Sequence, residues 1–338
     1  MKKTLTIVLL IALLLTPLSG CNKSSENKND AIATTTSNIP EYNAADANPA
    51  SDFEYTVGED GGITITKYIG TDSDVVIPEQ IDGKDVTVIG GGAFQKNLTL
   101  HSIAMASTVS IIELSAFEAC DQLVTVVLSD NLIKIYDNVF MDCIALSHIK
   151  FPDSLTHIGS RAFMNCKSLT DISIPANCFN VIDGGAFRFS TLTFAGAGLE
   201  TVEICDGVDF IPQWAFQNTK IKEIRLPRSV IEIQSGAFAG CTELETVVLN
   251  EGIRSIWDSA FRNTQIKEIS FPKTVHNLLI SAFDGDDALT KMYFEGNVPN
   301  NFIVSANQGV NSSFTIYYHE GAEGFTSPEW NGYKTEIW

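Results

Sequence analysis

Residues 147–169 read SHIKFPDSLTHIGSRAFMNCKSL, and the same pattern returns on both sides of them. Its anchor is an Ala-Phe pair, once Val-Phe, with the rings at Phe94, Phe117, Phe140, Phe163, Phe187, Phe216, Phe238, Phe261 and Phe283. Subtracting neighbours gives spacings of 23, 23, 23, 24, 29, 22, 23 and 22 residues. A fixed period in the twenties marks a solenoid, in which one repeat is one coil that cannot close its own core and must stack on the next.

Within a coil, counting Ser147 as position 1, the apolar residues Ile149 and Phe151 stand at positions 3 and 5, matched by Val126 and Leu128, Ile172 and Ile174, Ile224 and Leu226, and Ile269 and Phe271. Alternation of apolar with polar residues is the signature of a half-buried strand. A proline often follows, as at Pro152, Pro175, Pro227 and Pro272; it cannot donate to a ladder, so the strand stops there. A second apolar pair, Leu155 and Ile158 in this coil, precedes a small or polar run into the phenylalanine, expected as a short helical or turn segment. Nine coils at strand spacing predict a rod roughly 43 Å long.

The chain has 338 residues and a formal net charge of −19. Removing residues 1–20, with Lys2 and Lys3 and no acid, leaves 20 basic against 41 acidic residues, or −21. A surface this acidic repels phosphate backbones and anionic headgroups, which argues against nucleic acid and against a basic membrane patch. Residues 1–20 read as a secretory signal, with an apolar run from Leu5 to Leu15 too short to span a bilayer. Leu18-Ser19-Gly20-Cys21 resembles a bacterial lipobox, which predicts lipid modification of Cys21 and membrane attachment without spanning. Residues 21–52 then hold the anchor site and a polar stretch with few large apolar groups, expected as a flexible tether about 30 Å in reach.

Residues 53–92 are expected to cap the solenoid and supply the strands of the first coil: Phe53–Val57 and Ile63–Thr66 alternate like strands around Gly61-Gly62. From here the resemblance is to the BspA-type class of bacterial leucine-rich repeats, carried by ITITKYIGTDSDVVIPEQIDGKDVTVIGGGAF and by coils of the form IPxSVxxIxxxAFxxC. The resemblance implies a repeat solenoid over residues 93–289, of short parallel strands with a cap at each end. It also implies a protein of the cell surface that binds other proteins, commonly host or matrix proteins in attachment. Residues 290–338, with strands expected at Met292–Phe294 and Phe314–Tyr318, match the aromatic closing segment of that class. Phe325, Trp330, Tyr333 and Trp338 there form either a lid over the last coil or a platform for sugars or peptides. Departures from the pattern are Val139-Phe140, Ala104-Met105-Ala106 where a strand and proline are expected, one extra residue near Phe179 and Asn180–Gly185, and seven residues, 193–199, read as an insertion between coils.

Candidate chemistry is sparse. Cys120, Cys143, Cys166 and Cys241 each follow the repeat phenylalanine by three residues, where other coils hold Ser190, Thr219 and Thr264. Such exchange predicts small buried side chains and free thiols, with bridges between adjacent coils left open as an alternative. Cys178 and Cys205 stand off that column, where a bridge between them is an alternative to two thiols. No Cys-x-x-Cys zinc pattern occurs, and His101, His148, His157, His276 and His319 are scattered. Asp284-Gly285-Asp286-Asp287 lacks the ligand count of a calcium loop and reads as an exposed acidic turn. With no nucleophile elbow, metalloprotease helix or phosphate loop, the chain reads as a non-enzyme that needs no metal and no cofactor.

The informative exposed set is the pair at positions 2 and 4 of each coil. It runs Ser102 and Ala104, Thr125 and Val127, His148 and Lys150, Asp171 and Ser173, Thr201 and Glu203, Glu223 and Arg225, Thr246 and Val248, Glu268 and Ser270. It predicts one continuous sheet face that mixes small, apolar and charged groups, as a protein-binding face does. The resemblance, with which this face and the tether are consistent, implies a non-enzymatic adhesion module on a membrane-anchored, extracytoplasmic lipoprotein. The alternative is a structural or assembly protein of the bacterial envelope with no host ligand.

Overall fold

The alternation read in the sequence becomes a ladder once coils stack, because each short strand finds its hydrogen-bond partners only in the coils before and after it. The computed structural model describes residues 41–176, 178, 191–302 and 314–338. The signal segment, Cys21 and its flank to residue 40, and Phe187 and Ser190 lie outside the described residues. The architecture is a parallel β-solenoid of about 11 turns.

Four short ladders line the outer face in succession, so the single continuous sheet expected from the sequence is interrupted between them. Asp74–Val76, Ser102–Ala104, Thr125–Val127 and His148–Ile149 pair in parallel, each with the next. Asp171–Ile174 pairs with Thr201–Ile204, and Glu223–Arg225 with Thr246–Val248. Glu268–Phe271, Lys291–Phe294, Thr315–Tyr318 and Tyr333–Ile337 complete the face. The central residues Ile103, Val126, Ile149, Ile172, Ile224 and Ile269 point inward and are buried. The second apolar pair makes a second parallel ladder. It holds Ile111–Ile112, Lys134–Ile135 and His157–Ile158 in the first half, and Phe210–Ile211, Glu232–Ile233, Ser255–Ile256 and Asn277–Leu278 in the second.

The third side of each coil is the phenylalanine turn. Phe94, Phe117, Phe140, Phe163, Phe194, Phe216, Phe238, Phe261 and Phe283 form one stack, with successive centroids 4.9–5.6 Å apart. From Phe94 to Phe261 each ring's amide N–H donates to the next coil's carbonyl, for example Phe216 to Ala237 at 2.9 Å and Phe238 to Ala260 at 2.8 Å. The residues two before and two after the ring do the same, as in Trp214 to Ser235 and Asn218 to Ala239. The peptide planes in this strip therefore all point along the rod, which needs a left-handed residue on each side of the ring. Positive φ recurs there, at Asn138 and Asp142 around Phe140 and at Trp214 and Asn218 around Phe216.

This register corrects the sequence reading. Phe194 occupies the stack between Phe163 and Phe216, with Phe163 donating to Thr193 and Phe194 to Ala215 at 2.8 Å each. Residues 193–199 are thus not an insertion but the turn of a coil. The ring-to-ring steps become 194 − 163 = 31 and 216 − 194 = 22 residues, so the extra length precedes Thr191. The flanking left-handed places are Leu192 (φ 60°) and Gly196 (φ 69°).

Both caps also differ from expectation. The antiparallel hairpin Phe53–Val57 with Ile63–Tyr68 is as expected, turning at Gly61 (φ 84°). Residues 41–52, however, are not tether. Tyr42 donates its hydroxyl to the Ile77 carbonyl at 3.2 Å. Asn48 is buried; its N–H donates to the Val76 carbonyl at 2.9 Å, and its Oδ1 accepts the Val76 N–H at 2.8 Å. One asparagine thus closes both free hydrogen-bonding groups of Val76 at the edge of the face sheet, where an open edge would invite pairing with another chain. At the other end, Lys291–Phe294 and Thr315–Tyr318 form where strands are expected, and a further strand, Tyr333–Ile337, extends the face beyond them. Phe325 and Tyr333 do close the core, with Phe325 stacked on Tyr318 at 5.0 Å and Tyr333 against Phe314 at 4.5 Å.

Candidate binding face

The pairs at positions 2 and 4 come together as the alternation requires. In register, Ser102 lies beside Thr125 and Ala104 beside Val127, and His148 beside Thr125. Asp171 is paired with Thr201 and Ser173 with Glu203; Glu223 with Thr246 and Arg225 with Val248. Lys150 is exposed but stands just past its strand, which ends at Ile149.

Exposure divides the face. Ser102, Ala104, Thr125, Val127, His148, Asp171 and Ser173 are half-buried, whereas Thr201, Glu203, Glu223, Arg225, Thr246, Val248, Glu268 and Ser270 are exposed. The exposed half is laced with ion pairs. Lys222 reaches Glu200 at 3.2 Å and Glu243 at 3.8 Å, Arg225 reaches Glu223 at 2.5 Å, Lys267 reaches Glu245 at 3.0 Å and Lys291 reaches Glu268 at 3.5 Å. All these side chains are open to water, so the pairs add little to stability and leave charge free to be traded with a partner.

Two sets of residues escaped the sequence reading. Position 1 carries Glu200, Lys222, Glu245 and Lys267, which alternate in sign from coil to coil; that alternation is visible in the sequence immediately before each strand. Past Ser270, the face continues through Lys291 and Tyr293, Thr315 and Tyr317, and Lys334 and Glu336. The alternation in Lys291-Met-Tyr-Phe294 was the signal, since Met292 and Phe294 are buried. Burial pushes the Tyr293 phenol up, helped by Glu268, while Tyr293 and Glu268 hold the Lys291 ammonium above its ordinary range.

Elsewhere the chemistry is structural. Cys120, Cys143, Cys166 and Cys241 are free and buried. Each thiol donates to the phenylalanine carbonyl one coil back, at 3.1 Å, 3.1 Å, 3.2 Å and 3.1 Å respectively. Burial pushes the Cys143 and Cys166 thiols well up and the Cys241 thiol to about 11, which leaves none of these three as a reactive thiolate at neutral pH. The alternative bridge between Cys178 and Cys205 does not form: Cys178 is free, its thiol donates to the Leu155 carbonyl at 3.2 Å, and burial pushes it up to about 12. Asp286 is not part of an exposed turn. It stands in the cysteine column, fully buried, and accepts the Thr264 N–H at 2.5 Å and the Thr264 hydroxyl at 3.0 Å. Burial raises its carboxyl to about 7, with Asp284 and Asp287 adding to the rise. Among the described residues no group of three or more His, Cys, Asp or Glu is placed to hold a metal ion, and no helix is long and apolar enough to cross a membrane.

A solenoid with a variable face over invariant core columns is the architecture of leucine-rich repeat proteins. The family described as "BspA type Leucine rich repeat region" matches residues 87–195 and 189–290 in 6 copies, and the chain belongs to it. Among solved structures it is similar to a leucine-rich repeat protein from Bacteroides ovatus ATCC 8483, with 23% identity over 85% of this chain and 75% of that chain and a TM-score of 0.64. It is also similar to a leucine rich cell surface protein from Faecalibacterium prausnitzii A2-165, with 22% identity over 86% of this chain and 98% of that chain and a TM-score of 0.51. The T. pallidum leucine rich repeat protein shares 28% identity over 64% of this chain and 88% of that chain, with a TM-score of 0.48. No curated protein matches.

Proposed function

We propose that this chain is a non-enzymatic protein-binding module of the bacterial cell surface, held there by lipid on Cys21 and engaging host or matrix proteins in attachment. The observation that carries the reading is the exposed, charge-laced half of the face, from Thr201 to Ser270, set on a rod whose core does not depend on it. Its mixed ion pairs and lone apolar residues, such as Val248, resemble the polar rim and scattered apolar contacts of a recognition surface. Exposed charges arranged this way govern encounter rate and partner choice more than raw affinity.

The test is binding of the mature chain to a panel of matrix proteins and to envelope extract of the producing cell, at low and high salt. Saturable, salt-weakened binding to a matrix protein is the expected result. Binding confined to the envelope extract would replace attachment with a structural role in the cell's own envelope, and silence on both would overturn the reading.

A further inference from the structure

The C-terminal end of the face holds a feature that the repeat does not need. Tyr293 and Tyr317 stack at 4.8 Å, Trp338 meets Tyr293 edge-on at 5.4 Å, and His319 lies against Trp338 at 4.6 Å with planes 20° apart. Trp338 is 45% exposed and His319 is exposed, while the rings that close the core are Phe325 and Tyr333. The exposed rings are therefore surplus to the lid. His319 also belongs to the wall of an open cleft of about 540 Å³, together with Lys273, Glu295, Asn297 and Glu320.

Among the described residues the charged side chains of this cleft form no ion pair: none involves Lys273, Glu295 or Glu320, whereas the nearby Lys291 and Lys334 are engaged with Glu268 and Glu336. Asn297 is held by its Oδ1, which accepts the Glu323 N–H at 2.8 Å and leaves the amide Nδ2 as a fixed donor. Two carboxylate acceptors thus share the cleft wall with an ammonium, an amide and an imidazole, and the imidazole is stacked on the exposed Trp338 indole. The charges nearly balance, which favours neither a polyanion nor a polycation, and the open polar walls do not suit an apolar helix. A sugar ring fits the combination: its C–H face packs on an aromatic plane, and each hydroxyl both donates and accepts a hydrogen bond.

We propose that the cleft between residues 295–297 and 319–322, with His319 in its wall and Trp338 stacked on His319, is a carbohydrate-binding site separate from the protein-binding face. It does not rest on the protein-binding reading, because it uses none of the residues from Thr201 to Ser270.

The whole chain is titrated with cellohexaose, maltohexaose, laminarihexaose and chitohexaose by calorimetry, with a nona-arginine peptide as the competing chemistry. Saturable binding of at least one hexasaccharide is expected, weakened about tenfold or more in Trp338→Ala, with the melting temperature unchanged because the ring is outside the core. Glu320→Gln decides the matter if Trp338→Ala does not fold, and Arg225→Glu leaves saccharide affinity as it was. No binding to any of the four sugars, binding that survives Trp338→Ala in folded protein, or binding of the arginine peptide alone would overturn the proposal. Failure of the protein-binding reading would appear elsewhere, as silence on the matrix and envelope panel.

Discussion

The inside of this rod repeats and the outside does not. The phenylalanine column carries the same ring in every described coil from Phe94 to Phe283, whereas the face beside it passes from half-buried Ser102 and Thr125 to exposed Glu223 and Arg225. The difference follows from what each side chain must fit. A core ring packs on the rings of two neighbouring coils and shares a turn whose amides all point along the axis, so a change in one coil disturbs three. A face residue meets water on one side and is bound only by strand geometry, so its identity is free for recognition. Stability is set on the inner side of the coil, and the proposed function puts binding on the other.

The largest effect that could break this comparison lies at Phe194. As a member of the stack, its replacement in Phe194→Ala should destabilise the rod by about 3–5 kcal/mol, as Phe216→Ala should, measured by urea denaturation. A near-neutral Phe194→Ala would return residues 193–199 to the status of a surface insertion.

Next comes Asp286, which sharpens the inside half of the comparison. Its folded-state carboxyl titrates near 7, above the usual 3.8. The protonated form is thus favoured by folding: the contribution to stability is full below about 3.8 and is lost as pH rises through about 7. The chain should lose roughly 1–3 kcal/mol more between pH 5 and pH 8 than Asp286→Asn does, because the amide does not ionise, its oxygen accepting the Thr264 N–H and its NH2 donating to the Thr264 hydroxyl oxygen. Equal pH dependence of the two proteins by thermal melts would remove Asp286 from the account.

Smaller still is the thiol column. Cys143→Ala removes the hydrogen bond to the Phe117 carbonyl and should cost about 1 kcal/mol. Cys120, Cys143, Cys166, Cys178 and Cys241 should resist a thiol reagent in native protein and react once it is unfolded. Rapid native labelling would mean that the coils open locally at the cysteine column.

Much of this was legible in the amino acids. The period gave the solenoid, the alternation of Ile149 with its neighbours gave the face, and the exchange of Cys with Thr at 219 and 264 gave the buried column. Gly-Gly-Ala-Phe187 matches the anchor motif, and Leu-Thr-Phe194 does not. The turn, however, is selected by the left-handed residue two places after the ring: Phe189 follows Phe187 there, and Gly196 follows Phe194. A bulky residue is strained in that conformation and glycine is not, so the discriminating signal lay outside the motif. Asn48 was lost in a polar stretch because it works by imitating a strand's backbone, which leaves no apolar trace. Trp338 and Tyr333 look alike in sequence, and only packing separates the ring that closes the core from the ring that faces water.

The least effect on stability, and the most direct test, belongs to the outside. Lys222→Glu combined with Arg225→Glu reverses two exposed charges on the face and should leave urea stability within about 0.5 kcal/mol of the parent. The decisive measurement is the binding isotherm of this variant for the protein partner found on the matrix panel. A loss of about tenfold or more in affinity, in protein as stable as the parent, is the result expected if recognition lies on the face and stability in the columns. Unchanged affinity, or a variant that fails to fold, would contradict that separation.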